Sequence, residues 1–530
     1  MVNLLFWRSP RVAPPTVPTD TVIPLHCFDD RPINKSIIML FMMRFDDVLD
    51  SEKLRGSLEK LLAREGWRKL GARLRLNSKG KLDYHVPASL DRATRPAIAY
   101  SHVRYDVSIG EHPLASRLPR AESLSGRPAV VCNPDDFIEL MRRPDGPTSL
   151  DDYLYGDEPQ LGLHVVSFAD ATLVSLNWPH TLLDGMGRRA LFEAWTAVLE
   201  GREDEVLPFY GFDHDPLADL GTKQEPDAEP FRMAKYLMSS WQMMLYGVRY
   251  LWEIKVWRRE EEVRIVFTKS LFEETRAEFL NGDGDGDGDD GSTPDGQENG
   301  KPGFLSEGDI LSAYVSRLAT QPLRASPRTV CVANAYGLRG ALPFPRDRAY
   351  VANAVWGVSA LLRARDVAAR PLCATAAAVR RSIAEQGTRA QLEARAAYLR
   401  ARGGGGGGGG GDGDGMSGMP DLYGDAGMTL VTFSNWTKGR FFETDFSAAI
   451  VEQGGSGGGG DGGKKPSNYK RGCPSYIQPS GFVQNLSMRN SFPIIGKDAV
   501  GNYWWAGTLR KGLWAGIEET LRAASPAKGV

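Results

Sequence analysis

Residues 177–187 read NWPHTLLDGMG, and the chain is best understood outward from them. On the N-terminal side, 164–169 and 172–178 alternate like a hairpin that turns near Asp170. A loop over 179–187 follows, then a helix over about 188–200 that stops at Gly201. This places His180 at the end of a strand, where an imidazole can be offered to a cleft. An ordinary pKa near 6.5 suits it to base work at neutral pH. Asp184 lies one helical turn on, followed by Gly185, and could orient the loop or bond its own backbone as a turn former. Seven histidines give roughly 0.05 chance matches to His-x-x-x-Asp-Gly from average residue usage. Spacing alone leaves a structural loop histidine open.

Upstream, 21–28 and 35–45 read as strands and 50–64 as a helix capped by Asp50 or Ser51. A hairpin turns at 78–80, and 136–143 reads as a short helix. Downstream, 202–232 is a polar, proline-dotted crossover, and 236–257 is a buried or interfacial amphipathic helix within a helical stretch of about 233–258. The segment 263–270 is a strand, 271–280 a helix, and 306–319 a helix opened by the capping box Ser306-x-x-Asp309. Next come a strand in TVCVANAYGL, a helical region over 365–401, and strands at 429–433, 441–446, 481–494 and 501–509. A closing helix covers 512–523. Strands and helices in mixed, non-repeating order indicate an α/β (mixed α+β) fold.

Three windows, 281–300, 401–420 and 451–465, hold 27 of the 59 glycines, so an ordinary globular chain carries three glycine-rich insertions. Their 11 acidic and 3 basic residues account for the net charge of −2, and the remainder is mildly basic, far from a nucleic-acid footprint. In GDGDGDGDDG, Asp283, Asp285, Asp287 and Gly288 match half of a calcium loop. Pro294 stands where the bidentate glutamate belongs, so the reading is a flexible acidic linker and no metal. Five cysteines without a CxxC pair argue against a disulfide framework or structural zinc. No uncharged apolar run approaches the length of a membrane span, and the N-terminal apolar run is too short for a signal peptide. A cytoplasmic location is expected. His85 and His164 read as packing or surface residues, and Tyr503-Trp504-Trp505 as core.

The whole chain resembles the BAHD acyltransferase superfamily, in particular its fungal branch. His180-Thr-Leu-Leu-Asp184-Gly185 matches its HxxxDG motif, and Asp445-Phe446-Ser-Ala-Ala stands where the family has DFGWG. VIPLHCFDD, GWRKLGARLRLNSKGKLDYHVP, LSEGDILSAYVSR, ANAYGLRG, YVANAVW, FSNW and GNYWWAG follow in the family's order across about 20–523, with the insertions between them.

The resemblance implies two similar chloramphenicol-acetyltransferase-like domains, each a mixed sheet with helices, and a channel between them. The division is 1–205 for the N-terminal domain, 206–260 for a crossover and 261–530 for the C-terminal domain, with insertions at 281–300, 403–418 and 453–463. It makes His180 the general base, with no covalent acyl-enzyme. Asp184 would turn away from the channel toward an arginine, for which Arg339 is the candidate and a surface arginine the alternative. Ser434, two residues before Trp436, would donate to the oxyanion, a strand-end serine being the alternative. Gly185, Asp445 and Phe446 would be structural, and the Ser447–Ala449 departure from Gly-Trp-Gly carries no role across. No permanently bound cofactor is implied. Acyl-CoA, acetyl-CoA first, is the co-substrate, and a small-molecule alcohol or amine of secondary metabolism the acceptor. A monomer without nucleic-acid partners is expected.

Two other readings remain. Condensation-type domains resemble this fold and carry HHxxxDG, but Pro179 replaces the first histidine and no carrier-domain serine motif occurs. A non-catalytic binding or regulatory relative keeps the fold, and the intact His180 and Asp184 speak against it. If the glycine-rich stretch is a linker, deletion of 403–415 leaves activity and melting temperature nearly unchanged. A large loss in either measurement would show that it is not.

Overall fold

The computed structural model describes residues 11–120, 128–223, 228–256, 260–267, 270–281, 303–404, 421–451, 470–510 and 512–523. The acidic repeat at 283–290 and nearly all of the three insertions lie outside the described residues.

The run IIMLFMMRF is apolar on both faces, and Ile37–Phe45 is accordingly a central strand buried along almost its whole length. It pairs antiparallel with Thr172–Pro179, Ile38 opposite Pro179 and Phe45 opposite Thr172. The five-stranded sheet runs Tyr476–Val483, Ile37–Phe45, Thr172–Pro179, Gly162–Ser167, Ala99–Arg104. The seven-stranded sheet runs Val355–Arg363, Thr329–Gly337, Thr429–Asn435, Ser491–Lys497, Tyr503–Arg510, Glu260–Phe267, Ala129–Val130. A third, small sheet joins Thr21–Pro24, Leu82–Val86 and Arg73–Leu76. Parallel and antiparallel pairs occur in both large sheets, so the architecture is mixed α/β.

The large sheets exchange strands. Tyr476–Val483 comes from the C-terminal half but lies against Ile37–Phe45, Ile477 opposite Met43. Ala129–Val130, from the N-terminal half, pairs with Glu260–Phe267. The first core accordingly mixes both halves of the chain, with Phe41, Phe192 and Trp195 beside Phe441, Phe446 and Trp504. The second core packs the helices Glu307–Ala319 and Leu372–Gln386 on the seven-stranded sheet. Ser306 caps the first of these through the expected box with Asp309. His85 and His164 are buried, as are Tyr503, Trp504 and Trp505.

Several boundaries differ from the sequence reading. The segment 481–494 is not one strand: Asn485 and Asn490 take left-handed backbone (φ 58° and 61°), and the turn they make sends Tyr476–Val483 and Ser491–Lys497 into different sheets. The segment 441–446 is not extended. Arg440 is left-handed (φ 49°), and short 3₁₀ turns at Phe441–Glu443 and Ser447–Ala449 bury Phe441, Phe442 and Phe446 together, which a strand's alternation would forbid. Helix 365–401 is three pieces, broken at Pro371 and Gly387. The amphipathic helix, Ser240–Val256, turns Met243, Tyr246 and several polar residues inward and leaves an apolar face outward. Tyr250 donates to the Ser487 carbonyl (2.7 Å) and Arg489 to Glu253 (3.0 Å), while Trp241 and Trp252 stand 64% and 67% exposed. Among the described residues no helix is long and apolar enough to cross a membrane.

Because the exchanged strand is pinned in the first sheet, Ile477→Ala should cost about 2–5 kcal/mol and move a single calorimetric transition to lower temperature as a whole. Two transitions with only one displaced would show that the sheets melt independently.

Candidate active site

His180 follows the last residue of Thr172–Pro179 and is still tied to the sheet, its N–H donating to the Ile37 carbonyl at 2.9 Å. The Leu182 N–H then donates back to Pro179 (2.9 Å), turning the chain sharply. The imidazole is surrounded by protein, while the residue as a whole keeps partial solvent access. Burial lowers its pKa below the ordinary 6.5, with the Arg188 charge acting the same way. The residue's own carbonyl, Asp184 and a side-chain contact from Asn353 oppose the shift.

Asp184 serves as the N-cap of the helix Gly185–Leu199, three residues earlier than the sequence pattern placed its start. Its Oδ1 accepts from the N–H groups of Met186 (3.0 Å) and Gly187 (2.8 Å). Its Oδ2 accepts from Arg339 Nη1 and the Ala354 N–H, each at 2.8 Å. Burial alone would raise the carboxyl's pKa. The Arg339 guanidinium and the backbone donors outweigh it and hold the group below the usual carboxylate range. Arg339 is itself fixed by the carbonyls of Tyr350 (3.2 Å) and Ala352 (2.5 Å). The helix approaches that segment so closely that a Cβ on Gly187 would fall 1.8 Å from the Val351 carbonyl oxygen.

Ser434 is partly exposed at the end of Thr429–Asn435, and its Oγ accepts the Trp436 indole N–H at 2.8 Å, leaving its own hydroxyl proton to point elsewhere. Trp436 packs over Gly185, where a Cβ would sit 3.1 Å from its ring. Asp445 caps the following turn through the Ser447 N–H (2.9 Å) and pairs with Lys470 (3.2 Å). Phe446 stacks on Phe45 and meets Trp195 at a tilt in the first core. These two residues therefore support the scaffold.

The sequence reading left out four residues beside the loop. Arg188 is fully buried, with its guanidinium 4.0 Å from the Phe41 ring, 4.2 Å from Phe441 and 4.4 Å from Trp436. Burial drops its pKa to about 9. Asn353, Tyr84 and Asp29 are buried beneath the turn. Asn353 and Asp29 lie in the quoted segments YVANAVW and VIPLHCFDD, and Tyr84 in KLDYHVP. Nothing in local spacing marks them as neighbours of His180. Two surface cavities, of about 1070 and 760 Å³, are lined by neither His180 nor Ser434.

No protein-family model matches the chain. Relatives align along nearly all of it. The transcriptional regulator calD of Penicillium decumbens is 41% identical over 98% of this chain and 99% of its own. The acetyltransferase sphE of Aspergillus fumigatus is 38% identical over 97% of each chain. The acetyltransferase adrJ of Penicillium rubens is 35% identical over 98% of each. Among solved structures, F. sporotrichioides TRI101 in complex with coenzyme A and T-2 superposes with a TM-score of 0.61 at 14% identity, covering 95% of this chain and 97% of that one. Vinorine synthase superposes with a TM-score of 0.55 at 14% identity, over 97% and 96%. Those two structures speak for the fold, and the relatives for the lineage. The chain belongs to the BAHD acyltransferase superfamily, in its fungal branch.

Proposed function

We propose that His180 is the general base of an acyl-CoA-dependent acyltransferase whose acceptor is a small-molecule alcohol or amine. The acyltransferase class follows from the relatives named acetyltransferases, and TRI101 has been captured with coenzyme A together with T-2 and with deoxynivalenol. One observation carries the role of His180. The Asp184 carboxylate is taken up by four donors on the loop, the helix and Arg339, so the imidazole is left as a neutral base with no carboxylate to receive its proton.

In the reaction, the acceptor O–H or N–H gives its proton to a ring nitrogen of His180. The freed nucleophile bonds to the thioester carbonyl carbon, and the carbonyl electrons move onto oxygen. The oxyanion collapses, the C–S bond breaks, and the departing thiolate takes the proton back from the imidazolium. No acyl-enzyme forms. Ser434, oriented by Trp436, has a hydroxyl proton to donate to the oxyanion. The names of sphE and adrJ favour acetyl-CoA as the donor. The reading includes two domains, 1–205 and 261–530, joined by 206–260, and a cytoplasmic monomer. A regulatory role, as in the name of calD, is the second reading.

With acetyl-CoA and a panel of alcohols and amines, wild-type protein releases free thiol in an acceptor-dependent way, and His180→Ala loses at least about 10² of that rate. Equal rates would overturn the mechanism. No release with any acceptor would favour the regulatory reading. Because burial lowers the His180 pKa, the base stays neutral to a lower pH than a free imidazole. The acid limb of kcat/KM is therefore expected with its midpoint below 6.5, and a midpoint above it would contradict the site's electrostatics.

A further inference from the structure

The segments VIPLHCFDD and YVANAVW meet beneath the catalytic turn. Asp29 is fully buried, and its Oδ1 accepts both the backbone N–H and the side-chain Nδ2 of Asn353, each at 2.8 Å. The same Nδ2 donates to the His180 carbonyl at 2.9 Å. A carboxylate and a peptide carbonyl both accept, so the amide can stand only one way round. Its nitrogen faces Asp29 and the His180 peptide, and its Oδ1 is the end left for other contacts. On the other side the Tyr84 hydroxyl donates to the Thr181 carbonyl at 2.8 Å and lies 3.4 Å from Asp29 Oδ2. Two successive peptide carbonyls of the turn are thus held by side chains that both rest against one carboxylate.

We propose that Asp29 and Asn353 are positioning residues for acyl transfer: Asp29 locks the Asn353 amide, which holds the His180 peptide and so fixes where the imidazole stands. His180 Nδ1 is shut away from solvent and has no hydrogen-bond partner among the described residues, so the hold is on the peptide and not on the ring. The residue's own carbonyl and, more weakly, the Asn353 side chain favour the protonated ring. The inference rests on His180 being the base. The charged groups around the ring are Asp184 and Arg188, and those around Asp29 are Lys69 and Asp215. Burial pushes the Asp29 pKa up to about 7, against the Lys69 charge and the Asn353 donors; Lys69 is itself held by the Gly211 carbonyl (3.2 Å) and by His26 (3.1 Å), whose ring lies 3.9 Å from Asp29.

The test compares Asn353→Ala, Asn353→Ser and Asp29→Asn with His180→Ala, using acetyl-CoA and the best acceptor of the panel, and checks folding by thermal melting. Loss of a hydrogen bond behind a reactive imidazole should lower kcat about 10–100-fold, with KM for acetyl-CoA within about twofold. Because the Asn353 contact favours the charged ring, its removal should also move the acid limb of kcat/KM to lower pH. Asp29→Asn keeps the size of the side chain, and it carries the test, with a smaller drop in the same direction, if the Asn353 variants do not fold. Unchanged kcat, or a fall with the acid limb unmoved, would overturn the positioning role. Wild-type rates in His180→Ala would instead overturn the general-base reading itself.

Discussion

Four donors converge on the Asp184 carboxylate, and the rest of the site is arranged around them. Two are the first free N–H groups of a helix, one is the Ala354 N–H, and one is the guanidinium of Arg339, 155 residues along the chain. A carboxylate buried without such partners would be driven to its neutral form. Here the arginine and the backbone dipoles keep it ionised. The same bonds fix the start of the helix, the conformation of the turn that carries His180 and the distance between Gly187 and Val351. A loop held this firmly can present one imidazole in one place. With its carboxylate occupied by these donors, Asp184 serves the loop, and the proposed base is left to the imidazole alone.

The two sheets cannot be assigned cleanly to the two halves of the chain. Tyr476–Val483 crosses into the sheet that carries His180, and Phe441, Phe442 and Phe446 fill the core beneath it. This answers how residues 421–451 stay in place between two glycine-rich stretches. Thr429–Asn435 is clasped by parallel neighbours on both sides, and the next fifteen residues are anchored by three buried phenylalanines and by Trp436 over Gly185. Order there comes from packing on distant elements, so the tethers need supply none. Arg188 extends the same contact, its guanidinium lying among aromatic rings contributed by residues 41, 436 and 441.

The sequence by itself determined the mixed α/β class, the strand–turn–helix that holds His180, the capping role of Ser306, and the family. Each of these is written in short-range patterns: alternation, helical spacing, a side chain that bonds the backbone two or three residues on, or motifs in a fixed order. It misplaced 441–446 and 481–494, because left-handed residues at 440, 485 and 490 bend the chain where apolar runs suggest that it continues. Only the tertiary structure decided which sheet each strand joins and which polar groups meet under the catalytic turn. Asp29 and Asn353 are 324 residues apart, and their pairing leaves no period in the sequence. What brings them together is the need of each buried donor and acceptor for a partner, and that need is met only once the two segments have been packed against each other.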